Sequence, residues 1–326
     1  MIILIVIGLS ILERPNITQK YAVPKSFTSA VGFGSNTAVF SNGNELATYN
    51  YTTGKVRNIS AAVGLGIIDT ISVSPSDNYI VFHGDQVSQN GQLANQLEAG
   101  GLSPVTDYWW VYNVRTNTFH YLPQNVLIAE ADNTQIYALA YDTDGSGETI
   151  TTYQASNMQS STTISVPGST DFFVTHTGFL LQTPNNTILK TTNGIVNQQL
   201  FSNAVLTGVS QDGENAVAVV TQDGDRDLVV INLETNNIKV VTKNIINNPV
   251  WLNPNIALYA TKTGGLYTYN LTTHKQSAWR FGSKLSSLKP LTLQLTGIIG
   301  PNAAIVTDTF GNSYLIGSKL IPASTL

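Results

Sequence analysis

The sequence contains no cysteine in its 326 residues. This absence excludes a disulfide framework, a thiolate metal site and a cysteine nucleophile. Charged residues make up only 11% of the chain, against about 25% in a typical soluble domain. Asn, Gln, Ser and Thr must therefore supply much of the polar surface. The net charge of −4 comes without any basic run, which argues against a nucleic-acid partner.

The chain also lacks an amphipathic helical window of useful length, which argues against an α/β fold. No glycine-rich loop leads from a strand into a helix, so nucleotide binding has no support. The four histidines show no metal-ligand spacing; they are His83, His120, His176 and His274. A zinc site or a Ser-His-Asp triad would therefore need convergence from distant parts of the chain.

The sequence does contain a short motif that recurs between β-rich runs and is called the repeated phrase below. Its clearest copies are Tyr49–Gly54 (YNYTTG), Tyr112–Asn117 (YNVRTN), Ile231–Asn236 (INLETN) and Tyr269–His274 (YNLTTH). Weaker copies lie at 153–157 and 188–194, and a last unit ends at 313–317. The step is 38 residues from Asn232 to Asn270 and 41 from Asn113 to Gln154. A strand–turn–strand unit with this period is typical of a radial repeat array.

A period near 40 with strands only predicts an all-β fold, a seven-bladed β-propeller of four-stranded antiparallel blades. In the fifth unit, β-forming runs at 205–209, 216–220, 228–232 and 238–241 are separated by Asp/Asn/Gly turns. We expect the repeated phrase to be the turn from the third to the fourth strand of each blade. Residues 16–326 would then form one domain, with an insertion in the second blade at about 84–107.

The turns Ser210-Gln211-Asp212-Gly213 and Ser74-Pro75-Ser76-Asp77-Asn78, and the strand pattern of 227–232, resemble those of the WD40-like and TolB-like β-propeller superfamily. The resemblance spans roughly residues 30 to 320. The sequence has neither a Trp-Asp dipeptide nor a Gly-His pair, so the chain departs from a typical WD40 protein. The resemblance implies a fold and a binding platform and carries over no catalytic residues.

The N-terminal segment 1–15 opens with twelve almost entirely apolar residues, Met1–Leu12. A helix of this length is too short to span a bilayer, which needs about 20 residues. It could be a secretion signal or shortened membrane anchor, although a basic n-region is missing. It could instead be a buried Ile-rich strand or an assembly segment. A strand near Thr18–Val23 could pair with the last blade as a clasp.

An extracellular or cell-surface location is the expectation that fits this segment, with membrane contact only through it. Five Asn-x-Ser/Thr sequons point the same way and are candidate glycosylation sites: Asn16, Asn50, Asn58, Asn185 and Asn270. Two of them belong to the repeated phrase, so structure alone accounts for those. The composition, without Cys, rich in Asn and Thr and low in charge, is similar to that of surface proteins of thermophilic archaea or their viruses.

Alternating carboxylates with glycine between them occur in Asp142-Thr143-Asp144-Gly145-Ser146-Gly147-Glu148. Asp142, Asp144 and Glu148 could hold a hard cation such as Ca²⁺, although the loop falls short of the EF-hand pattern. The alternative is an acidic hairpin turn, for which Asp and Gly are suited in any case. Residues 223–227, at the equivalent turn of the fifth blade, could likewise be either a cation site or an acidic hairpin turn. We expect no other cofactor.

The insertion at 84–107 is the best candidate for a contact surface, because long loops in compact repeats are often functional. It carries the polar residues Gln89, Asn90 and Gln92 and leads into Tyr108, Trp109 and Trp110. Such aromatics could form a surface for a protein or a glycan. The alternative is packing between blades, since alternate residues of this strand must face inward.

These features favour a non-enzymatic binding, adhesion or assembly module that presents loops on one rim of the propeller to protein or glycan. It could be a structural component of a cell surface or virion, alone or in a homo- or hetero-assembly. The alternatives are a hydrolase or lyase with its active site at the central channel, and a TolB-like periplasmic assembly factor. An enzyme would require several His, Asp or Glu side chains converging at the channel.

Overall fold

The computed structural model describes the chain from residue 30 to residue 322, with gaps. The described residues are 30–41, 46–50, 53, 55–59, 67–85, 99, 108–142, 145, 147–192, 195–246, 248–263, 266–279, 293–300, 303–308, 313–316 and 321–322. The N-terminal segment 1–15 and the strand expected near Thr18–Val23 therefore lie outside the description, as does nearly all of the insertion at 84–107.

The described residues form 28 strands in seven four-stranded antiparallel sheets, each made of four consecutive strands. The first four sheets are β1 (Ala30–Phe33), β2 (Thr37–Ser41), β3 (Leu46–Asn50) and β4 (Val56–Asn58); β5 (Ile67–Val73), β6 (Tyr79–Asp85), β7 (Tyr108–Asn113) and β8 (Thr118–Tyr121); β9 (Val126–Ala131), β10 (Gln135–Tyr141), β11 (Glu148–Gln154) and β12 (Ser160–Ser165); and β13 (Asp171–Thr175), β14 (Gly178–Gln182), β15 (Ile188–Thr192) and β16 (Ile195–Phe201).

The remaining three sheets follow the same order along the chain. They are β17 (Ala204–Val209), β18 (Asn215–Gln222), β19 (Asp225–Asn232) and β20 (Ile238–Thr242); β21 (Val250–Asn253), β22 (Ile256–Ala260), β23 (Leu266–Asn270) and β24 (Lys275–Trp279); and β25 (Leu293–Gly300), β26 (Ala303–Asp308), β27 (Ser313–Ile316) and β28 (Ile321–Pro322). The strands of the fifth sheet match the four runs expected from the sequence to within three residues at each end.

The repeated phrase forms the turn between the third and fourth strands, as predicted. Its Asn side chain accepts a hydrogen bond from the backbone N–H of the Thr three residues later, at 2.8 Å in Asn50, Asn232 and Asn270. The residue that follows the Thr is left-handed, with φ of 55° at Asn236 and 52° at His274. Asn and Gly tolerate this conformation best, which accounts for the type of residue that ends the phrase.

The hydrophobic core is divided into layers between neighbouring sheets. One layer joins the first and second sheets, and another joins the second and third. Further layers follow between the third and fourth, the fourth and fifth, and the fifth and sixth. Because successive side chains of a strand point to opposite faces, a central strand such as β7 serves two layers at once.

The first strand of each sheet lies innermost. β1 contacts β5, β5 contacts β9, β9 contacts β13, β13 contacts β17, and β21 contacts β25. Sheets arranged in sequence around a common set of inner strands make this chain an all-β propeller. The predicted all-β class and the propeller architecture are therefore confirmed. Among the described residues, no helix has the length and apolar character needed to cross a membrane.

Candidate functional site

A cavity of about 510 Å³ lies where the inner strands of the propeller run into their first hairpin turns. Residues of six sheets line it, from Gly32 of β1 to Trp251 and Pro254 at the sixth sheet. A volume of this size falls in the range of small-ligand pockets. The cavity is therefore the leading candidate site in the described part of the chain.

The first-to-second strand turns frame the mouth of the cavity, and side chains fix their shape. Asp132 Oδ1 accepts hydrogen bonds from the backbone N–H of Thr134 at 2.7 Å and of Gln135 at 2.9 Å. Asp212 Oδ1 accepts from the Ser210 hydroxyl at 2.5 Å. These Asx-type turns hold the rim in place while keeping both carboxylates beside the opening.

Glu130 is the carboxyl group set into the wall of the cavity. It lies on the inner strand β9, and its Oε2 accepts a hydrogen bond of 2.9 Å from the backbone N–H of Val174 on β13. Burial is the main cause that raises the pKa of Glu130 to about 8, and the nearby Asp171 carboxylate raises it further. Near neutral pH, Glu130 therefore carries a proton in a large part of the molecules.

Asp171 begins β13 and is the carboxyl group that interacts with Glu130. Its Oδ1 accepts a 2.7 Å hydrogen bond from the backbone N–H of Phe172. Burial raises the pKa of Asp171 to about 6, and the hydrogen bond from the Phe172 N–H opposes this increase. Two neighbouring carboxyl groups with raised pKa values, one of them lining a cavity, are a recognised mark of functional sites, although structural pairs also produce them.

Trp251 supplies an aromatic wall on the side of the fifth and sixth sheets. Its Nε1–H donates a 2.7 Å hydrogen bond to the carbonyl oxygen of Thr207. The ring packs on Gly208, where an added Cβ would lie 2.6 Å from Trp251 Cζ2. The absence of a side chain at Gly208 therefore allows the indole to lie flat against β17 at the cavity.

The charges that line the cavity are mostly acidic. Glu130, Asp132 and Asp212 contribute carboxyl groups, and the exposed His176 lies at the edge on the turn after β13. No lysine or arginine occurs among the described residues of the lining. In the described part of the chain, no group of three or more His, Cys, Asp or Glu side chains is arranged to hold a metal ion.

A smaller polar cavity of about 320 Å³ lies between the second and third sheets on the same end of the strands. Its lining is rich in amides and hydroxyls: Asn78, Tyr79, Asn113, Arg115, Asn133, Thr134, Gln154 and Ser156. Arg115 is its cationic residue, and it is exposed. The repeated phrase thus contributes Asn113 and Gln154 to the rim of this smaller cavity.

The three aromatic residues expected to form a contact surface are core residues instead. Tyr108 is 1% exposed, Trp109 4% and Trp110 0%. Tyr108 and Trp110 pack into the layer between the first and second sheets, while Trp109 packs into the layer between the second and third. Both faces of β7 are covered, so alternation leaves none of the three rings on a surface. Gln89, Asn90 and Gln92 lie outside the described residues, and a binding role for that loop stays a prediction.

The acidic loop after β10 is a hairpin turn in its described positions. The Asp142 N–H donates to the Gly147 carbonyl at 2.7 Å, and Glu148 Oε2 accepts from the Gly168 N–H at 2.6 Å. Glu148 thus ties β11 to the turn after β12. Asp144 lies outside the described residues, so a calcium site formed with Asp142 and Glu148 stays a prediction.

The equivalent loop of the fifth sheet is engaged in contacts with the sixth. Asp225 pairs with Lys262 at 2.6 Å, and Arg226 donates to the side-chain oxygen of Asn248. Asp223 and Gly224 take left-handed conformations, with φ of 51° and 83°, as a two-residue hairpin turn requires. Structure accounts for this loop without a cation.

The described sequon asparagines lie at strand ends or in turns: Asn50, Asn58 and Asn270 each end a strand, and Asn185 lies in a turn. Asn58 and Asn185 are exposed, whereas Asn50 and Asn270 are partly buried and hold their turns by side-chain hydrogen bonds. Asn16 lies outside the described residues. Glycosylation at any of the five stays a prediction.

Sequence reasoning missed Glu130 and Asp171. The signal that could have found Glu130 is a single carboxylate in the apolar run Val126-Leu127-Ile128-Ala129-Glu130-Ala131. A charged side chain in an inner strand needs either a compensating partner or a function, because burying a charge is costly in free energy. Its proximity to β13 could not be read from the sequence.

Comparisons with solved structures support the fold. The β-propeller domain of the trilobed protease from Pyrococcus furiosus has a TM-score of 0.58 at 10% identity, covering 91% of this chain and 97% of that one. An acylaminoacyl peptidase of Pyrococcus horikoshii has a TM-score of 0.54 at 12% identity, covering 91% of this chain and 52% of that one.

The WD40 propeller domain of Doa1 has a TM-score of 0.51 at 9% identity, covering 90% of this chain and 93% of that one. The expected resemblance to WD40-like propellers is therefore confirmed as a likeness of fold. No protein-family description and no curated protein matches the sequence. Because these neighbours include both peptidases and WD40 proteins, the likeness does not assign a function.

Proposed function

We propose that this protein is a non-enzymatic binding module that engages a protein or glycan partner at the end of the propeller where the first-to-second strand turns meet. The observation that carries the proposal is the cavity of about 510 Å³ at that end. It combines a polar rim, an aromatic wall at Trp251 and lining residues from six sheets. Sites of this kind bind ligands through a few placed polar groups over an apolar base.

The rim is built to keep its shape without a ligand. Asp132 and Asp212 hold their turns through hydrogen bonds to nearby backbone N–H groups, and the His176 N–H donates to the Gly213 carbonyl at 3.3 Å. A preorganised rim loses little conformational entropy when a partner binds. This rigidity favours recognition by fixed loops.

We propose further that the seven described sheets form one seven-bladed ring that closes without a shared strand. Both the first sheet (β1–β4) and the last (β25–β28) have four strands from one continuous segment. The P. furiosus domain is described as having an open velcro topology. Removal of residues 1–29 would then leave every sheet complete, and a single cooperative melting transition should remain. Loss of that transition would show that a preceding strand is needed as a clasp.

An extracellular or cell-surface location belongs to the same proposal. Its support is the apolar segment Met1–Leu12, the low charge and the exposed sequons at Asn58 and Asn185. Mass measurement of the protein isolated from its native source tests cleavage and glycosylation together. A mass equal to that of the unmodified chain would remove this support.

The binding proposal is tested with Asn133→Trp, which adds bulk at the cavity mouth. Asn133 is exposed, lines the cavity and has no side-chain hydrogen bond in the structure. Purified protein would be applied to peptide and glycan arrays. Spots bound by the natural chain should be lost with Asn133→Trp and kept with Ser202→Trp, which changes an exposed residue in the turn after β16, at the other end of the strands. Binding that is unaffected by Asn133→Trp would contradict the proposal.

A second candidate function is a hydrolase or lyase, and the Glu130–Asp171 pair is the observation that favours it. Carboxyl groups with separated, raised pKa values can act as general acid and base. The test is a panel of fluorogenic peptide and glycoside substrates. Turnover that disappears with Glu130→Gln would support the enzyme.

A further inference from the structure

We propose that the central cavity receives a cationic side chain of a protein partner, an arginine or a lysine, through the carboxyl group of Glu130. This inference rests on the binding function proposed above and names the chemistry that the site selects. It commits to a protein rather than a glycan as the partner.

The first argument is the placement of Glu130. Its Oε2 is held by the Val174 N–H at 2.9 Å, which orients the carboxyl group from the neighbouring sheet. Among the described residues, no hydrogen bond to its Oε1 is found, and the residue lines the cavity while remaining partly exposed. One oxygen is therefore anchored and the other is available to a donor that enters the cavity. Lysine and arginine side chains carry only donors at their tips.

The second argument is the sign of the charge around it. The titratable groups near Glu130 are Asp171 on β13, Asp132 on its own turn, Asp212 on the turn after β17, and His176 at the rim. Among the described lining residues no lysine or arginine neutralises these carboxylates. An anionic ligand would be repelled here, whereas a cation would be attracted and would gain from the low dielectric of the channel wall.

The third argument is the aromatic wall of the cavity. The indole of Trp251 lines the cavity and is fixed by its hydrogen bond to the Thr207 carbonyl at 2.7 Å. An aromatic face attracts a guanidinium or ammonium group, and the long methylene stem of either side chain can pack against it. A compact inorganic cation would make no use of this apolar wall.

Binding should be coupled to the release of a proton. Glu130 is protonated in much of the population at neutral pH, because its pKa is raised to about 8. A cation beside Oε1 favours the ionised form, so the carboxyl proton passes to solvent as the cation binds. Affinity should therefore rise with pH up to about 8. Titration of Asp171, whose pKa is raised to about 6, affects the same region and should shape the profile at lower pH.

The experiment uses the full chain and two probes, the capped tripeptide acetyl-Gly-Arg-Gly-amide and its norleucine counterpart. Titration calorimetry at pH 7 in two buffers of different ionisation enthalpy measures affinity and proton release together. We expect the arginine peptide to bind more tightly than the norleucine peptide, with proton release. Glu130→Gln keeps an oxygen for the Val174 N–H and should weaken arginine-peptide binding by about tenfold or more while abolishing the release.

The matched control is Glu234→Gln, which makes the same substitution in an exposed turn at the same end of the strands. It should change the affinity less than twofold. Equal binding of both peptides, equal losses in the two variants, or unchanged binding by Glu130→Gln would each overturn the inference. Asn133→Trp is the second variant, because it should block the arginine peptide while leaving Glu130 in place.

The two proposals can fail separately. If array partners are lost with Asn133→Trp but the arginine peptide shows no preference, the binding function stands and the cationic ligand is wrong. If Asn133→Trp leaves all array binding intact, the cavity is not the binding site and the proposed function itself fails.

Discussion

The Trp251 indole N–H donates a 2.7 Å hydrogen bond to the Thr207 carbonyl, joining the sixth sheet to the inner strand of the fifth. The ring lies on Gly208, where a Cβ would come within 2.6 Å of its Cζ2 atom. Gly208→Ala should therefore displace the indole and lower the free energy of unfolding by about 1–3 kcal/mol, as overpacking does. Urea denaturation measures the loss. In a Trp251→Phe background, which shortens the ring, the same substitution should cost much less; an equal cost would contradict this contact.

Stability should fall as the pH rises, because of Glu130. Its pKa is raised from 4.5 to about 8 in the folded chain. Between these values the folded protein holds a proton that the unfolded chain has released, so the free energy of unfolding decreases with increasing pH. Asp171, raised from 3.8 to about 6, adds a decrease of the same sign in its own range. Thermal melting from pH 4 to pH 9 checks this.

Glu130→Gln isolates the contribution of this carboxyl group. The variant should melt at an almost constant temperature from about pH 6 to pH 8, where the natural chain loses stability. Below pH 6 the slope due to Asp171 should remain. A variant with the same slope as the natural chain above pH 6 would show that Glu130 is not the titrating group.

The Asn of the repeated phrase should stabilise its turn directly. Asn232 Oδ1 accepts from the Thr235 N–H at 2.8 Å and from its hydroxyl at 2.7 Å. Asn232→Ala should lower the free energy of unfolding by about 1 kcal/mol. Asn237→Ala is the control, because Asn237 is exposed and takes part in the turn through its backbone: its carbonyl accepts from the Asn232 N–H, and its N–H donates to the Thr235 hydroxyl. Chemical denaturation should show less than about 0.5 kcal/mol for the control.

Lys190 should stabilise the boundary between the fourth and fifth sheets. It is 8% exposed, and its Nζ donates to the Leu233 carbonyl and, at 3.1 Å, to the Asn236 side chain. Lys190→Met keeps the apolar stem but leaves the buried carbonyl without its donor. A loss of about 1–3 kcal/mol should follow. Lys243→Met, at an exposed position, should be neutral in the same denaturation experiment.

The sequence predicted the sheets well because the information for each one is local. The Asn of the phrase bonds to a Thr three residues later, and a left-handed residue such as Asn236 or His274 follows. Every requirement of that turn lies within a few consecutive positions. The extra length of the long interval between two copies falls between β6 and β7, and the insertion expected there stays a prediction.

The candidate site could not be predicted in the same way, because its contacts join distant segments. Glu130 reaches Val174 on another sheet, and Trp251 reaches Thr207. The repeat predicts that inner strands of consecutive sheets are neighbours, but nothing in the local pattern specifies which of their side chains meet. The sequence left open whether Tyr108, Trp109 and Trp110 form a contact surface or pack between blades, for a related reason: alternation shows which residues share a face, whereas the packing of both faces depends on the neighbouring sheets.

Because each described sheet takes its four strands from one uninterrupted stretch of chain, a boundary between sheets is also a natural place to divide the gene. Two separately produced halves, cut between β16 and β17, would each carry whole sheets and would meet through side-chain layers and a small set of hydrogen bonds such as that from the His176 N–H to the Gly213 carbonyl. Such halves should reassemble on mixing. The same modularity would let a lineage gain or lose one sheet by duplication or deletion without rewriting the strand pairing within any other.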